Sequence, residues 1–183
     1  TLSLSSAASD VYKRQIHLIQ FANLYRGKEK VSMSTRKGEF VELDTLLQEI
    51  GLDAINYFYL MRSKDQHLDF DLEVAVSSNK NNPVYYIQYA HARIEKILSQ
   101  VSNYREFEFD HKNLTNKHEG DLVDQLANFS DICKKSIINL KPQIMTNYLY
   151  DLSQLFHGYY ASERIIKDKI NYSQVYLLAA IQK

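Results

Sequence analysis

Aromatic rings and positive charges share one side of a helix that the sequence predicts over residues 83–103. Tyr86, Tyr89 and Arg93 are spaced three and four residues apart, and Lys96 and Gln100 continue the same side. Aromatic faces stack on unpaired bases, and an arginine side chain can stack or pair with phosphate. The combination favours single-stranded RNA over duplex as a ligand. The alternative, which geometry alone favours, is that a neighbouring helix covers the tyrosines while the cations lie in solvent.

The residues just before Tyr86 explain why a helix should begin at Pro83. The Asn-rich stretch 79–82 is followed by Pro83 at the first helical position, where the N–H that proline lacks would be unpaired anyway. Opposite the tyrosines, residues at helical spacing predict a stripe that faces the core. Its members are Val84, Ile87, His91, Ile94, Leu98 and Val101.

A second stretch with chemical potential is the loop over residues 31–38, VSMSTRKG. Hydroxyls, the adjacent cations Arg36 and Lys37, and a glycine are the groups with which a loop holds phosphate. The loop follows a predicted β-hairpin, which turns at residues 26–28 and returns over residues 29–33. A basic turn is usually only solvated, so the pattern by itself is a weak indication.

Other reactive side chains have structural interpretations. Asp69, Asp71 and Glu73 are spaced two residues apart, which does not bring carboxylates together on a helix. We therefore predict no metal site and expect Asp69 or Asp71 to cap a helix. Cys133 lies in an apolar helical pattern and is expected to be a small buried residue. His157 has no nucleophile nearby in the sequence, so we expect a histidine on a helix surface.

The composition describes a globular chain without net charge. Of its 183 residues, 45% are hydrophobic, enough for one sizeable core or two small ones. Lys+Arg and Asp+Glu balance at 22 each, so RNA binding has to use a local patch. No apolar run is long enough to predict a membrane span. The lack of a signal peptide and the single cysteine lead us to expect a cytoplasmic protein.

Residues 82–93, NPVYYIQYAHAR, closely resemble the loop and helix that open the anticodon-binding domain of arginyl-tRNA synthetases. Residues 68–72 and 53–58 are similar to further segments of the same family. The resemblance covers roughly residues 16–183. It implies an enzyme that joins arginine to its tRNA through an arginyl-adenylate formed from ATP.

The loop over residues 31–38 is similar to the second signature of class I aminoacyl-tRNA synthetases, Lys-Met-Ser-Lys-Ser. Met33 and Ser34 match it, whereas Ser32 and Thr35 stand where the motif has lysine. It is therefore left open whether Arg36 or Lys37 meets the departing pyrophosphate, and Lys28 and Lys30 are close enough in the sequence to be candidates too. The resemblance implies that the loop contacts the ATP phosphates through Met33, Ser34, Thr35, Arg36 and Lys37.

In the same family, the positions matching Tyr86, Tyr89 and Arg93 face the anticodon stem and loop of tRNA. The full tRNA-binding set that we predict is Asn82, Tyr86, Tyr89, Arg93, Lys96 and Tyr148. For Tyr148, the alternative that it is a core residue without contact to tRNA is at least as well supported.

The resemblance implies a mainly α fold, in which a helical anticodon-binding bundle follows a β-hairpin and loop remnant of a Rossmann-type catalytic domain. Residues 16–78 are expected to end the catalytic domain, and residues 79–183 to form the anticodon-binding domain. Residues 1–15 match neither and resemble a foreign extension, and the last helix is expected to continue beyond residue 183. Further helices are predicted over residues 54–61, 119–140 and 144–159, and from residue 172. A short helix is also predicted where residues 41–44 lead into residues 46–50, and Gly51 is expected to stop it.

The resemblance also implies which ligands the full-length enzyme binds and what the fragment alone cannot do. Arginine tRNAs, arginine and ATP with Mg²⁺ as its counter-ion are the expected ligands of the full-length enzyme, which we expect to be a monomer. The fragment alone is expected to be inactive and to bind no cofactor, since the family's first signature and arginine pocket lie upstream. Two alternatives remain. One is another class I synthetase with this helical domain, such as the cysteinyl enzyme, and the other is a helical protein-interaction module.

Overall fold

A computed structural model of the chain describes residues 18–20, 22–32, 41–101, 103–162, 164–166 and 169–183. The predicted phosphate-binding residues 33–37 and the extension over residues 1–15 lie outside the described residues.

A small sheet opens the described part of the chain. Strands β1 (Ala22–Arg26) and β2 (Glu29–Lys30) pair antiparallel, which confirms the predicted hairpin. Gly27 makes the turn with φ +59°, a conformation that side chains other than glycine adopt at a cost. A third strand, β3 (Leu68–Asp71), pairs in parallel with β1 and was not predicted.

Helices α1 (Leu43–Ile50), α2 (Leu52–Leu60) and α3 (Leu72–Val76) share a hydrophobic core with this sheet. The predicted glycine stop is confirmed, because Gly51 ends α1 at φ +81°. The predicted cap on α3 is also confirmed: an Asp71 carboxylate oxygen accepts from the Glu73 N–H at 2.9 Å and from the Gly27 N–H at 3.1 Å. Asp71 thus ties the hairpin turn to the start of α3.

The remainder is a helical bundle with its own core. It contains α4 (Pro83–Gln100), α5 (Lys117–Ala127), α6 (Phe129–Ile138), α7 (Gln143–Ser162) and α8 (Tyr172–Gln182). Phe156 and Tyr159 of α7 are fully buried, with Leu122 and Leu178 beside them. Helix α4 belongs to both cores, because Val84 packs with the sheet and Ile94 with the bundle. Along α4 the two hydrophobic clusters meet.

The predicted helix over residues 119–140 is wrong in one respect, since it consists of two helices, α5 and α6, that break at Asn128. The Asn128 side-chain amide donates to the Asp124 carbonyl at 2.9 Å and so competes with continuation of the helix. The restart shifts the buried side of α6 to Ile132 and Ser136. Phe129 and Ile137 are therefore exposed, and Cys133, which was expected to be buried, is half-buried.

The predicted core stripe of α4 also needs correction, because His91 is exposed. The buried residues within α4 are Val84, Ala90, Ile94 and Ile97. Both α7 and α8 pack against this helix, so its buried arc is wide and includes Ala90. Among the described helices, none has the length and apolarity that crossing a bilayer requires.

Candidate nucleic-acid interface

The start of α4 fixes the phase of every side chain on it, and Asn82 makes that start. Its side-chain oxygen accepts from the N–H groups of Val84 and Tyr85 at 3.0 and 3.3 Å. Its amide donates to the carbonyls of Ala75 and Ser77, both at 2.9 Å. Asn82 is only 4% exposed, so the prediction that its side chain contacts tRNA is corrected: it is a buried helix cap.

Three side chains spaced four apart form a stacked row along α4. The ring centroids of Tyr85 and Tyr89 lie 5.7 Å apart, with their planes at 12°. The Arg93 Cζ lies 4.1 Å from the Tyr89 ring centroid, and Arg93 Nη2 donates to the Tyr89 hydroxyl at 2.8 Å. From α7, the Tyr160 ring approaches the same guanidinium, with its centroid 4.6 Å from Cζ. We refer to Tyr85, Tyr89, Arg93 and Tyr160 as the aromatic ladder.

The aromatic ladder is accessible. Tyr89 and Tyr160 are each 39% exposed, and Tyr85 and Arg93 are half-buried. The structure therefore leaves Tyr89 and Arg93 free to meet a ligand, as the helical angle predicts. Tyr85 and Tyr160 were missed, although the four-residue steps from Tyr85 to Tyr89 and from Tyr89 to Arg93 are readable in the sequence.

Tyr86, the third residue of the predicted face, turns toward α7 instead. Its ring centroid lies 4.3 Å from that of His157 and 5.6 Å from that of Tyr150. Burial raises the pKa of Tyr86, the neighbouring Tyr150 raises it further, and Arg93 opposes both. Tyr86 stays half-buried. The expectation that a neighbouring helix covers the tyrosines therefore holds for part of Tyr86, whereas Tyr89 remains exposed.

His157 lies at the contact between α7 and α4, not on the helix surface as the sequence suggests. Its Nε2 lies 3.1 Å from the Tyr86 carbonyl oxygen, and its Nδ1 lies 3.3 Å from Arg93 Nη1. The imidazole also stacks with Tyr89 at 5.8 Å between centroids. Burial lowers the pKa of His157, the hydrogen bond to the Tyr86 carbonyl opposes this, and the charge of Arg93 lowers the pKa further. The burial and the charge of Arg93 thus favour the neutral form of the half-buried imidazole.

A groove of about 480 Å³ continues the aromatic ladder at its Arg93 end. Lys96 and Gln100 line it from α4, with Arg93 and Tyr160 at one end and Arg164 beyond α7. Within the described part of the chain, no carboxylate forms an ion pair with Arg93, Lys96 or Arg164. We call this feature the basic groove. It supplies the local positive patch that a chain of zero net charge needs for RNA.

Tyr148, the remaining predicted contact, is a core residue. It is 4% exposed, its ring lies 5.5 Å from that of Phe129, and its hydroxyl donates to the Gln125 carbonyl at 3.2 Å. Burial raises the pKa of Tyr148. The prediction that it contacts tRNA is corrected in favour of the core alternative. Among the described residues, no three His, Cys, Asp or Glu side chains group closely enough to hold a metal ion.

A helical bundle with an open aromatic and basic side is the kind of structure that binds tRNA loops, and comparison with known families agrees. The family described as the DALR anticodon binding domain matches residues 87–183, which include Tyr89, Arg93 and the basic groove. The chain belongs to the DALR anticodon-binding domain family.

The relatives that match nearly the whole chain are arginine–tRNA ligases. The ligase of Coxiella burnetii strain CbuK_Q154 is 43% identical over 180 residues, which is 93% of this chain and 30% of that protein. The ligase of Dechloromonas aromatica strain RCB is 42% identical over 185 residues, which is 99% of this chain and 32% of that protein. The chain thus spans about a third of the length of these relatives. The resemblance to arginyl-tRNA synthetases is confirmed, and neither alternative is favoured.

Solved structures agree with this fold. A Campylobacter jejuni protein assigned as an arginyl-tRNA synthetase aligns with a TM-score of 0.79 at 25% identity, over 90% of this chain and 36% of that one. The Thermus thermophilus arginyl-tRNA synthetase aligns with a TM-score of 0.61 at 19% identity, over 81% of this chain and 26% of that one. The mainly α architecture with a small sheet is therefore confirmed.

Proposed function

We propose that this chain is the C-terminal part of an arginyl-tRNA synthetase and that it holds the anticodon arm of tRNA. The observation that carries the proposal is the accessible aromatic ladder, presented by a chain that belongs to an anticodon-binding family. Rings that are open on one side and supported on the other are a suitable surface for unpaired bases.

The aromatic ladder supplies the contacts to bases. Tyr89 and Tyr160 have exposed ring surface, and stacking of one base on such a ring contributes about 1–3 kcal/mol. Arg93 uses Nη1 and Nη2 for one internal hydrogen bond each and keeps further N–H groups for a base or a phosphate.

The basic groove supplies contacts to the RNA backbone. Lys96 and Arg164 flank a trough that begins where the aromatic ladder ends. A single strand that stacks its bases on the aromatic ladder could place the phosphates of its next nucleotides in the basic groove, because each nucleotide carries one phosphate close to its base. Lys96 is therefore retained from the predicted set, and Arg164 is added to it.

The first part of the chain is proposed to serve the chemical step in the whole ligase. Residues 33–37 would contact the ATP phosphates, with Mg²⁺ as their counter-ion, and Arg36 or Lys37 would face the departing pyrophosphate. The domain boundary near residue 78 is supported by the existence of two distinct hydrophobic clusters, which meet along the first turns of α4. We also expect the whole ligase to act in the cytoplasm as a monomer, with arginine tRNA, arginine and ATP as ligands.

The proposal is tested by RNA binding of the 183-residue chain. Fluorescence anisotropy would measure the affinity of the chain for two labelled RNAs. One is a hairpin that has the anticodon-arm sequence of an arginine tRNA, and the other is a blunt duplex of the same stem. We expect the hairpin to bind more tightly, because only its loop offers unpaired bases to the tyrosines. Equal affinities for hairpin and duplex would contradict base stacking. In a separate assay with labelled pyrophosphate, we expect no arginine-dependent exchange of pyrophosphate with ATP from these residues alone.

A further inference from the structure

The contacts of His157 define the position of its proton. The Tyr86 carbonyl oxygen can only accept a hydrogen bond, so Nε2, at 3.1 Å from it, carries the proton and donates. The Arg93 guanidinium can only donate, so Nδ1, at 3.3 Å from Nη1, accepts. One neutral tautomer satisfies both contacts, and the imidazole thereby bridges α7 to α4.

This bridge fixes the plane of the Arg93 guanidinium. Nη1 donates to His157 while Nη2 donates to the Tyr89 hydroxyl at 2.8 Å, so two separate nitrogens are anchored. The Tyr89 and Tyr160 rings lie at 4.1 and 4.6 Å from Cζ. An unrestrained arginine samples many rotamers and loses that freedom when it binds a ligand. Here much of that freedom is lost on folding.

We propose that His157 is a positioning residue for RNA recognition: it sets the orientation of Arg93 in the aromatic ladder and raises RNA affinity without touching RNA itself. The inference rests on the proposed function, because Arg93 has to be a contact for its orientation to matter. His157 is suited to this role by its placement on α7, from which its Nδ1 reaches Arg93 Nη1 while its ring stacks with Tyr89.

The test is a double-mutant cycle on affinity for the anticodon-arm hairpin. His157→Phe keeps a ring beside Tyr86 but removes both hydrogen bonds, and we expect it to weaken binding about five- to tenfold. In the Arg93→Met background, the same change should have no further effect, because the group that it orients is gone. His157→Gln should restore most of the affinity, since its amide can donate to the Tyr86 carbonyl and accept from Arg93.

Each outcome is decisive. If the losses from His157→Phe and Arg93→Met add fully, His157 acts independently of Arg93 and the inference is overturned while the proposed function stands. If Arg93→Met alone leaves affinity unchanged, the proposed RNA face fails and the inference with it. Should His157→Phe fail to fold, ¹⁵N NMR of the wild-type imidazole gives the answer without a variant. We expect the proton on Nε2 both with and without RNA, and a proton on Nδ1 would overturn the inference.

Discussion

Arg93 and Tyr89, one helical turn apart on α4, form a pair that is both stacked and hydrogen-bonded: Cζ lies 4.1 Å from the ring centroid, and Nη2 donates to the hydroxyl at 2.8 Å. The pair keeps the positive charge beside an exposed ring. A base that stacks on Tyr89 would therefore find hydrogen-bond donors at the edge of its stacking surface. This relationship links the sequence of α4 to the RNA binding that we propose.

The basic groove should be visible in the salt dependence of RNA binding. We expect Lys96→Gln combined with Arg164→Gln to lower the slope of log affinity against log salt by about 1.4, if each side chain meets one phosphate of a single strand. The measurement is a hairpin titration at several salt concentrations. The matched control is Lys112→Gln with Arg105→Gln, which removes the same charges outside the groove lining. An equal fall in slope for both double variants would contradict a specific role for the groove.

The cap at Asn82 should matter for stability rather than for direct RNA contact. Asn82→Ala removes the acceptor for two N–H groups and the donor for two carbonyls, so we expect a loss of about 2–4 kcal/mol in the free energy of unfolding. Urea denaturation followed by circular dichroism measures it. Asn56→Ala, an exposed asparagine inside α2, is the control and should shift the value by less than about 0.5 kcal/mol. Similar losses for both variants would refute the role of Asn82 as a cap.

How far the sequence could predict this structure depends on whether a feature is local. Asn82 and Pro83 indicate the start of α4 through their own chemistry, and Asp71 indicates the start of α3 in the same way. The consecutive residues Tyr85 and Tyr86 show the limit. They differ by about 100° around the helix, and only the position of α7 decides that Tyr85 joins the open row while Tyr86 is partly covered.

The features that the sequence did not predict depend on distant partners. His157 reaches Arg93 across 64 residues of sequence, so its role follows from the register between α4 and α7. Tyr148 and Tyr89 are both tyrosines on amphipathic helices, yet Tyr148 is buried and Tyr89 is exposed. The difference depends on how the neighbouring helices pack, which the local sequence does not reveal. Strand β3 is only four residues long and alternates with acidic side chains, and its pairing with β1 defines it as a strand.

The lowered pKa of His157 predicts an acid-sensitive contribution to stability. A histidine whose folded pKa lies below its unfolded value near 6.5 stabilises the fold fully above that pH. Its contribution is lost as the pH falls from 6.5 toward the lowered value, because the unfolded chain then binds the proton more readily. Free energies of unfolding measured across this range should therefore fall more steeply for the wild type than for His157→Gln. Parallel curves would contradict the assignment, and His67→Gln serves as a control outside the α4–α7 contact.

Tyr57 offers the corresponding test at alkaline pH. Its hydroxyl donates to the Thr146 carbonyl at 3.3 Å and joins α2 to α7, and burial is the main reason that its pKa is raised to about 12. A raised folded pKa means that the stabilisation is complete below the usual tyrosine pKa of 10.0 and is lost as the pH rises from there toward 12.

We expect Tyr57→Phe to lower the free energy of unfolding by about 0.5–1 kcal/mol at neutral pH and to reduce its alkaline decline. Unfolding measured at neutral and alkaline pH checks both effects. Tyr59→Phe is the control, because that tyrosine lies on the same helix but is 44% exposed. An alkaline decline that is unchanged in Tyr57→Phe would contradict the role of the buried hydroxyl.

The central claim is that the aromatic ladder binds the anticodon loop, and one comparison tests it most directly. Affinity for the labelled anticodon-arm hairpin would be measured for Tyr89→Leu with Arg93→Met, and for the matched pair Tyr59→Leu with Arg105→Met, which removes an exposed ring and an exposed cation elsewhere. Loss of one stacked base predicts binding weaker by about five- to 150-fold for the first double variant, with wild-type affinity for the second. If the two double variants bind the hairpin equally well, RNA does not bind at this face of α4.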